Sequence, residues 1–470
     1  MGHSDSEKNR ENLIPDWEKA FEHYEQVMVF GTEAMRLKAT VKFAHISNQA
    51  PGDVLARTIP ILADLLAGGN SDNLNQSIQE ASAYCLKRIA CSGQGRLARE
   101  IGQSGALHSI LRLLPLSGNG FQRLLVKCLW SLVTFAKANR LIVARNGGLE
   151  IVINMLNLNR DGTRRYLLEI LSALTLSTEV RMVLINFGGL RFLVEAASCG
   201  SIVSRERACR AIGLLGVARR ARRMLVELGV IEVLVELFRV GDNSTKLLVG
   251  NSLGVISAHV DYIRPVAEAG AIPLYAELLL GPEPIGKEIA EDVFCILAVA
   301  EGNAVSIADQ LVRILREGDD AAKAAASDVF WDLSSYKHST PVVRNSGAIP
   351  ILVEILQDES IEVREKASGA IAQLSYNEGD RVALSDAGAV PILLEMLHDE
   401  SEELRDNAAE ALISFSEDPE QRERILESID LPSFQSMQNR LVRNRASDEL
   451  MVRSVRRMSI QQLSWNPEIL

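Results

Sequence analysis

Along most of the chain, apolar residues recur every three to four positions in short runs separated by polar turns. The clearest example is Asn345 to Tyr376, NSGAIPILVEILQDESIEVREKASGAIAQLSY. Ile351, Leu352 and Ile355 share one helical face, Gln357 to Ile361 is polar, and Val363 to Leu374 is a second helical run whose Ala367, Ser368, Gly369 and Ala370 permit close packing. Gly347 supplies a turn without steric cost, and Pro350 sits early in the helix, where its missing N–H does no harm. The same pattern returns elsewhere. Helix-opening glycines stand at Gly105, Gly147, Gly188, Gly229, Gly270, Gly347 and Gly388, in steps of 42, 41, 41, 41, 77 and 41 residues. The longest step holds two units of about 38 residues and predicts one shortened repeat. Each unit is expected to be a short first helix, a glycine-opened second helix and a longer third helix.

The pattern divides the chain. Residues 1–15 read as a polar, disordered tail and 16–56 as an N-terminal helical cap marked by Trp17, Phe21, Tyr24 and Met28. Residues 57–417 hold about nine repeats. In the seventh, the stretch between Ala298 and Ile307 is too short for a full first helix, which predicts a local change in twist. Residues 418–463 read as a degenerate repeat or C-terminal cap, and 464–470 as a tail.

Composition fits this all-α arrangement. The chain has 470 residues, 47% hydrophobic but only 5% aromatic, as suits Leu, Val, Ile and Ala contacts between neighbouring repeats rather than one large core. The six cysteines form no C-x-x-C pair, so reduced helix residues of an intracellular protein, cytoplasmic or nuclear, are expected. No apolar run reaches the length of a membrane span. A net charge of −11 argues against a nucleic-acid binder.

With these repeats in view, the chain resembles an armadillo-repeat protein, the class of β-catenin, importin-α and the repeat regions of plant U-box ubiquitin ligases. GAIPILVEIL and REKASGAIAQLS are most similar to the plant repeats, and the resemblance covers roughly residues 57–417. It implies a right-handed superhelical solenoid whose third helices line a concave groove for extended peptides. It also suggests, as an alternative role, a regulatory or substrate-recruiting subunit of a ubiquitin ligase, although no U-box accompanies the repeats. Importin-α places Trp, and Asn four residues later, on the groove face. Here only Trp130 and Trp331 keep the aromatic, and none of the nine Asn positions holds Asn, so a nuclear-import adaptor is the less favoured reading.

A ladder of cations is the sharper candidate site. Arg123, Arg164, Arg205, Lys246 and Lys287 follow one another at steps of 41, seven residues before the Trp position, and Glu362 and Glu403 take that place in the eighth and ninth repeats. A cation near a helix N-terminus opposes the macrodipole by about 0.3–1 kcal/mol, so helix stability alone does not select it. Two explanations stand. The cations could pair with Glu195, Glu236 and Glu277, also 41 apart on the second helices, or form a basic groove for an acidic or phosphorylated extended segment, with Trp130 and Trp331 as apolar anchors.

Other motifs carry less. Arg140, Arg181 and Arg222 share a slot 41 apart, which suggests a repeat-wide role for Arg222. Met1-Gly2-His3-Ser4-Asp5-Ser6 matches a myristoylation pattern at Gly2. Arg456-Arg457-Met458-Ser459 resembles a basophilic kinase site, with Ser459 as the phosphate acceptor. Gly281 to Glu288 nearly spells a P-loop but has Glu288 where magnesium needs Ser or Thr, and no strand before it. The histidines show no metal spacing, and no nucleophile elbow or kinase signature occurs. The sequence therefore predicts a non-enzymatic protein-binding scaffold without cofactor or metal, whose partner is a protein segment.

Overall fold

The computed structural model describes residues 16–68, 73–158, 162–336 and 338–429, together with Pro432, Gln435 and Ser436. The described residues are helical with no strand. Gly2 and Ser459 lie outside them. The chain forms two compact units, residues 1–211 and 212–470.

In the first unit the hairpin α1 (Trp17–Phe30) and α2 (Glu33–Ile46) precedes α3 (Gly52–Ala67) and α4 (Asn73–Cys91). Triplets follow: α5 (Ala98–Gln103), α6 (Ala106–Leu113) and α7 (Asn119–Phe135); α8 (Lys137–Arg145), α9 (Gly148–Leu158) and α10 (Arg164–Leu174); then α11 (Thr178–Asn186), α12 (Leu190–Cys199) and α13 (Ile202–Gly216), within which the division falls. Third helix stacks on third helix, α2 on α4, α4 on α7 and α7 on α10.

The second unit continues the register. It contains α14 (Arg219–Glu227), α15 (Val230–Val240) and α16 (Asn243–Ser257), then α17 (Val260–Glu268), α18 (Ala271–Leu279) and α19 (Pro284–Leu297). The shortened repeat follows as α20 (Glu301–Glu317) and α21 (Asp320–Ser334). It is succeeded by α22 (Thr340–Asn345), α23 (Ala348–Glu354) and α24 (Ile361–Leu374), by α25 (Glu378–Asp386), α26 (Ala389–Met396) and α27 (Glu402–Phe415), and by α28 (Pro419–Ser428). Here α16, α19, α21, α24 and α27 stack in sequence.

Local chemistry explains the repeat. All seven helix-opening glycines have positive φ, from 67° to 92°, the left-handed region that only glycine enters without strain. Where that glycine is lacking, in the seventh repeat, first and second helices fuse into the single 17-residue α20. Side chains of Asp242, Asp319, Ser360 and Ser401 accept backbone N–H groups at the starts of α16, α21, α24 and α27, each such cap contributing about 1 kcal/mol. Arg140 donates to the Val133 carbonyl at the end of α7, Arg222 to Gly216 and Val217 at the end of α13, and Arg381 to Ser375 and Tyr376 at the end of α24. The role suspected for Arg222 is thus to cap the preceding third helix, where a cation meets the negative end of the helix dipole. The core is aliphatic, with Leu234, Leu253, Leu352 and Leu393 wholly buried, each such side chain contributing about 1.5–3 kcal/mol. Cys85, Cys128 and Cys209 are buried; Cys91 and Cys199 are exposed.

Candidate functional site on the third helices

The third helices present the candidate residues near their N-terminal turns and, two turns on, at the Trp positions. In the first unit Arg164 is clamped on both sides. Its Nε and Nη2 meet the two carboxylate oxygens of Glu195 at 2.5 and 2.6 Å, and its Nη1 donates to the Leu156 carbonyl at 2.6 Å. One guanidinium therefore ties the end of its own second helix to the second helix of the next repeat. Arg205 donates to the Gly200 carbonyl at 2.9 Å. Arg123 is exposed on α7.

In the second unit Lys246 lies 3.6 Å from Glu277. Buried Lys287 donates to the Leu279 carbonyl and to Asp319, both at 3.0 Å. Glu236 turns instead to Arg239 of its own helix. The series does not stop at Lys287. Lys323 pairs with Asp358 at 3.1 Å and Arg364 with Asp399 at 2.8 Å, while Arg405 donates to the Asp399 and Glu400 carbonyls. Lys246, Lys287, Lys323, Arg364 and Arg405 all stand four residues after their N-caps Asp242, Glu283, Asp319, Ser360 and Ser401. The sequence register placed Glu362 and Glu403 at this slot; the helix starts correct it by two residues, to Arg364 and Arg405. Ion pairing is the explanation that the geometry meets at Arg164, Lys246 and Lys287.

The carboxylates respond to this placement. Asp319 is held below the usual carboxylate range, first by the Lys287 ammonium and then by the Ala322 N–H; Asp358 and Asp399 are held low first by the Ser360 and Ser401 N–H groups and then by Lys323 and Arg364.

Trp130 and Trp331 are both half-buried, in different surroundings. Trp130 donates its Nε1–H to Glu169 at 2.5 Å and meets Tyr166 edge-on, with ring centroids 5.4 Å apart. Lys127 and Arg165 lie 5.6 and 5.2 Å from the Tyr166 ring centre, in reach of a cation–π attraction. Glu169 is buried, with Arg165 3.8 Å away. Burial pulls the Arg207 guanidinium below its ordinary range, with Glu169 opposing that shift, and its Nη1 has no hydrogen-bond partner among the described residues. Burial, with the like charge of Arg207, brings Arg140 down to about 10.

Trp331 instead lies over Gly369, where an added Cβ would meet the indole at 2.6 Å. The third helices from α21 to α27 carry acids and cations together: Asp328, Asp332 and Lys323 on α21, Glu362, Glu365, Arg364 and Lys366 on α24, and Glu403, Asp406, Glu410 and Arg405 on α27. Lys366 reaches Asp328 at 3.4 Å; burial pulls the ammonium down, but the neighbouring carboxylates, Asp328 foremost, raise it further. Glu365 accepts from the Ser401 hydroxyl at 2.6 Å, and Glu410 accepts from the Tyr376 hydroxyl.

Sequence reading missed the cluster around Trp130. Its available signal was Glu169, a lone acid inside the apolar run LLEILSAL, since a buried carboxylate needs donors. Among the described residues no group of His, Cys, Asp and Glu is placed to hold a metal ion, and no single helix is long and apolar enough to cross a membrane.

The chain has one family match and several structural likenesses. The family described as HEAT repeats matches residues 308–413 and 349–446. An engineered protein, solved as a crystal structure by the Northeast Structural Genomics Consortium, superposes with a TM-score of 0.61 at 19% identity, over 84% of this chain and 98% of its own. A designed armadillo repeat protein matches 48% of this chain and 99% of its own at 22% identity, with a TM-score of 0.39. Computationally designed armadillo repeat proteins for modular peptide recognition do so at 22% identity over 48% of this chain and 99% of theirs, with a TM-score of 0.40. No curated protein matches. The fold is an all-α solenoid of the armadillo/HEAT type.

Proposed function

We propose that this chain is a non-enzymatic scaffold that binds an extended, acidic or phosphorylated protein segment along its third helices, with the first unit as the principal seat. The observation that carries the reading is the cluster of Trp130 and Tyr166 beside Lys127 and Arg165. Aromatic faces offer apolar area at low entropic cost, and cations beside them attract carboxylate or phosphate and set register. Arg123, exposed on the same helix as Trp130, extends this seat. Arg164 serves it by joining its own repeat to Glu195 of the next, and Lys246 and Lys287 make the corresponding links within the second unit.

Capture from native cell extract tests this proposal, comparing the wild type with Trp130→Ala/Lys127→Glu/Arg165→Glu after circular dichroism has confirmed that both are folded. Loss of an acidic partner from the variant alone supports the seat; an unchanged set of captured proteins removes it. The plant-like repeat phrases GAIPILVEIL and REKASGAIAQLS support a second reading, a recruiting or regulatory subunit of a ubiquitin ligase, for which stable co-purification with ligase components is the test.

A further inference from the structure

The α1–α2 hairpin stacks on the first unit as the second and third helices of a repeat do, α1 against α3 and α2 against α4. The hairpin lines an open groove of about 400 Å³, to which Val54 of α3 also contributes. Trp17, Tyr24 and Val27 line it from α1, and Met35, Ala39 and Phe43 from α2. A terminal repeat of a solenoid ordinarily turns a polar face outward, because nothing further stacks on it. Here the floor of the groove is apolar and Met35, which lines it, is 52% exposed, although the hairpin also exposes Glu18, Glu22, Glu25 and Glu33.

The charges of the groove are of one sign. Lys38 and Lys42, one helical turn apart on α2, line it together with His23, and no Asp or Glu does. That is unusual for a chain of net charge −11, and it selects what can lie there. Two helices of 14 residues make a trough about 20 Å long, the seat a neighbouring repeat would fill with a helix of its own. We propose that this groove docks an amphipathic helix of a partner protein, one that buries apolar residues at i, i+4 and i+7 against Tyr24, Ala39 and Phe43 and presents acidic residues to Lys38 and Lys42. The surface is separate from the third-helix cluster and does not depend on it. Its lysines steer an acidic helix and discriminate against a basic one.

The probe is a synthetic 18-residue helical peptide with leucines at i, i+4, i+7 and i+11 flanked by glutamates, beside a twin with lysines at those flanks. Binding to the full chain is followed by fluorescence anisotropy. The glutamate peptide is expected to bind at least tenfold more tightly than its twin, with affinity falling as salt rises. Lys38→Glu/Lys42→Glu should invert that order, and Ala39→Arg should abolish binding of both by filling the floor. The proposal is overturned if neither peptide binds, if the twins bind alike, if the charge reversal leaves their order unchanged, or if the chain occupies the groove by pairing with a second copy of itself. Because the charge reversal touches only exposed side chains, it decides the matter even if Ala39→Arg fails to fold.

Discussion

Trp130 in the first unit and Trp331 in the second hold comparable places on third helices, yet they are secured by different means. The Trp130 indole is fixed through its N–H, by a buried carboxylate that also faces cations. The Trp331 indole is fixed through its ring, laid on a residue without a side chain. One arrangement uses a hydrogen bond and gathers positive charge; the other rests on van der Waals contact. The same residue signal in the sequence thus marks an indole held by a carboxylate in one unit and an indole packed on a glycine in the other.

Changes at the two tryptophans should separate these mechanisms. The largest effect is expected for Gly369→Leu, which forces a side chain into the indole and should cost about 3 kcal/mol by overpacking. Urea denaturation would register the loss, with a red-shifted tryptophan emission as Trp331 is expelled; unchanged emission would show that the ring does not rest there. Glu169→Leu removes the acceptor of the Trp130 N–H and the acid facing Arg207, for about 1–3 kcal/mol. It should leave Trp331 untouched, so that with Trp331→Phe as background the emission change reports Trp130.

Smaller effects belong to the clips. Arg164→Met breaks a two-pronged contact whose side chains are 24% and 29% exposed, between the surface and buried limits, and should cost about 1–2 kcal/mol. Arg364→Met, against Asp399, should cost a similar amount; no loss at either position would leave the cations without a structural role. The smallest effect is on pH. Asp319, Asp358 and Asp399 have folded-state values below their unfolded ones. Their stabilisation is therefore complete above the unfolded carboxylate value of about 4 and is lost as pH falls through the folded values. Asp358→Asn/Asp399→Asn should flatten the acid limb of the stability curve and leave its slope above about pH 5 unchanged.

Much of this was legible in the residues. Gly347 and its six counterparts announced the repeat because a left-handed turn excludes other side chains, and the step of 77 announced a shortened unit. Glu362 and Glu403 stand two residues after their N-caps, whereas Lys246 and Lys287 stand four after theirs. The N-caps Ser360 and Ser401, which start the helices, give the physical register and put Arg364 and Arg405 in the ladder. The acids that meet Lys287, Lys323 and Arg364 carry no periodic signal, because Asp319, Asp358 and Asp399 sit in turns outside the helices.

What the sequence by itself determined is the helical repeat, its period and its aliphatic core, since backbone sterics and side-chain spacing act locally and recur every 41 residues or so. What the tertiary structure alone decided is the fate of each charge and aromatic. Whether Arg164 faces Glu195 or solvent, and whether Trp331 finds a glycine or Trp130 a carboxylate, depends on which residue the neighbouring repeat places opposite. That opposition is set by how helices stack, across a separation that no local pattern records.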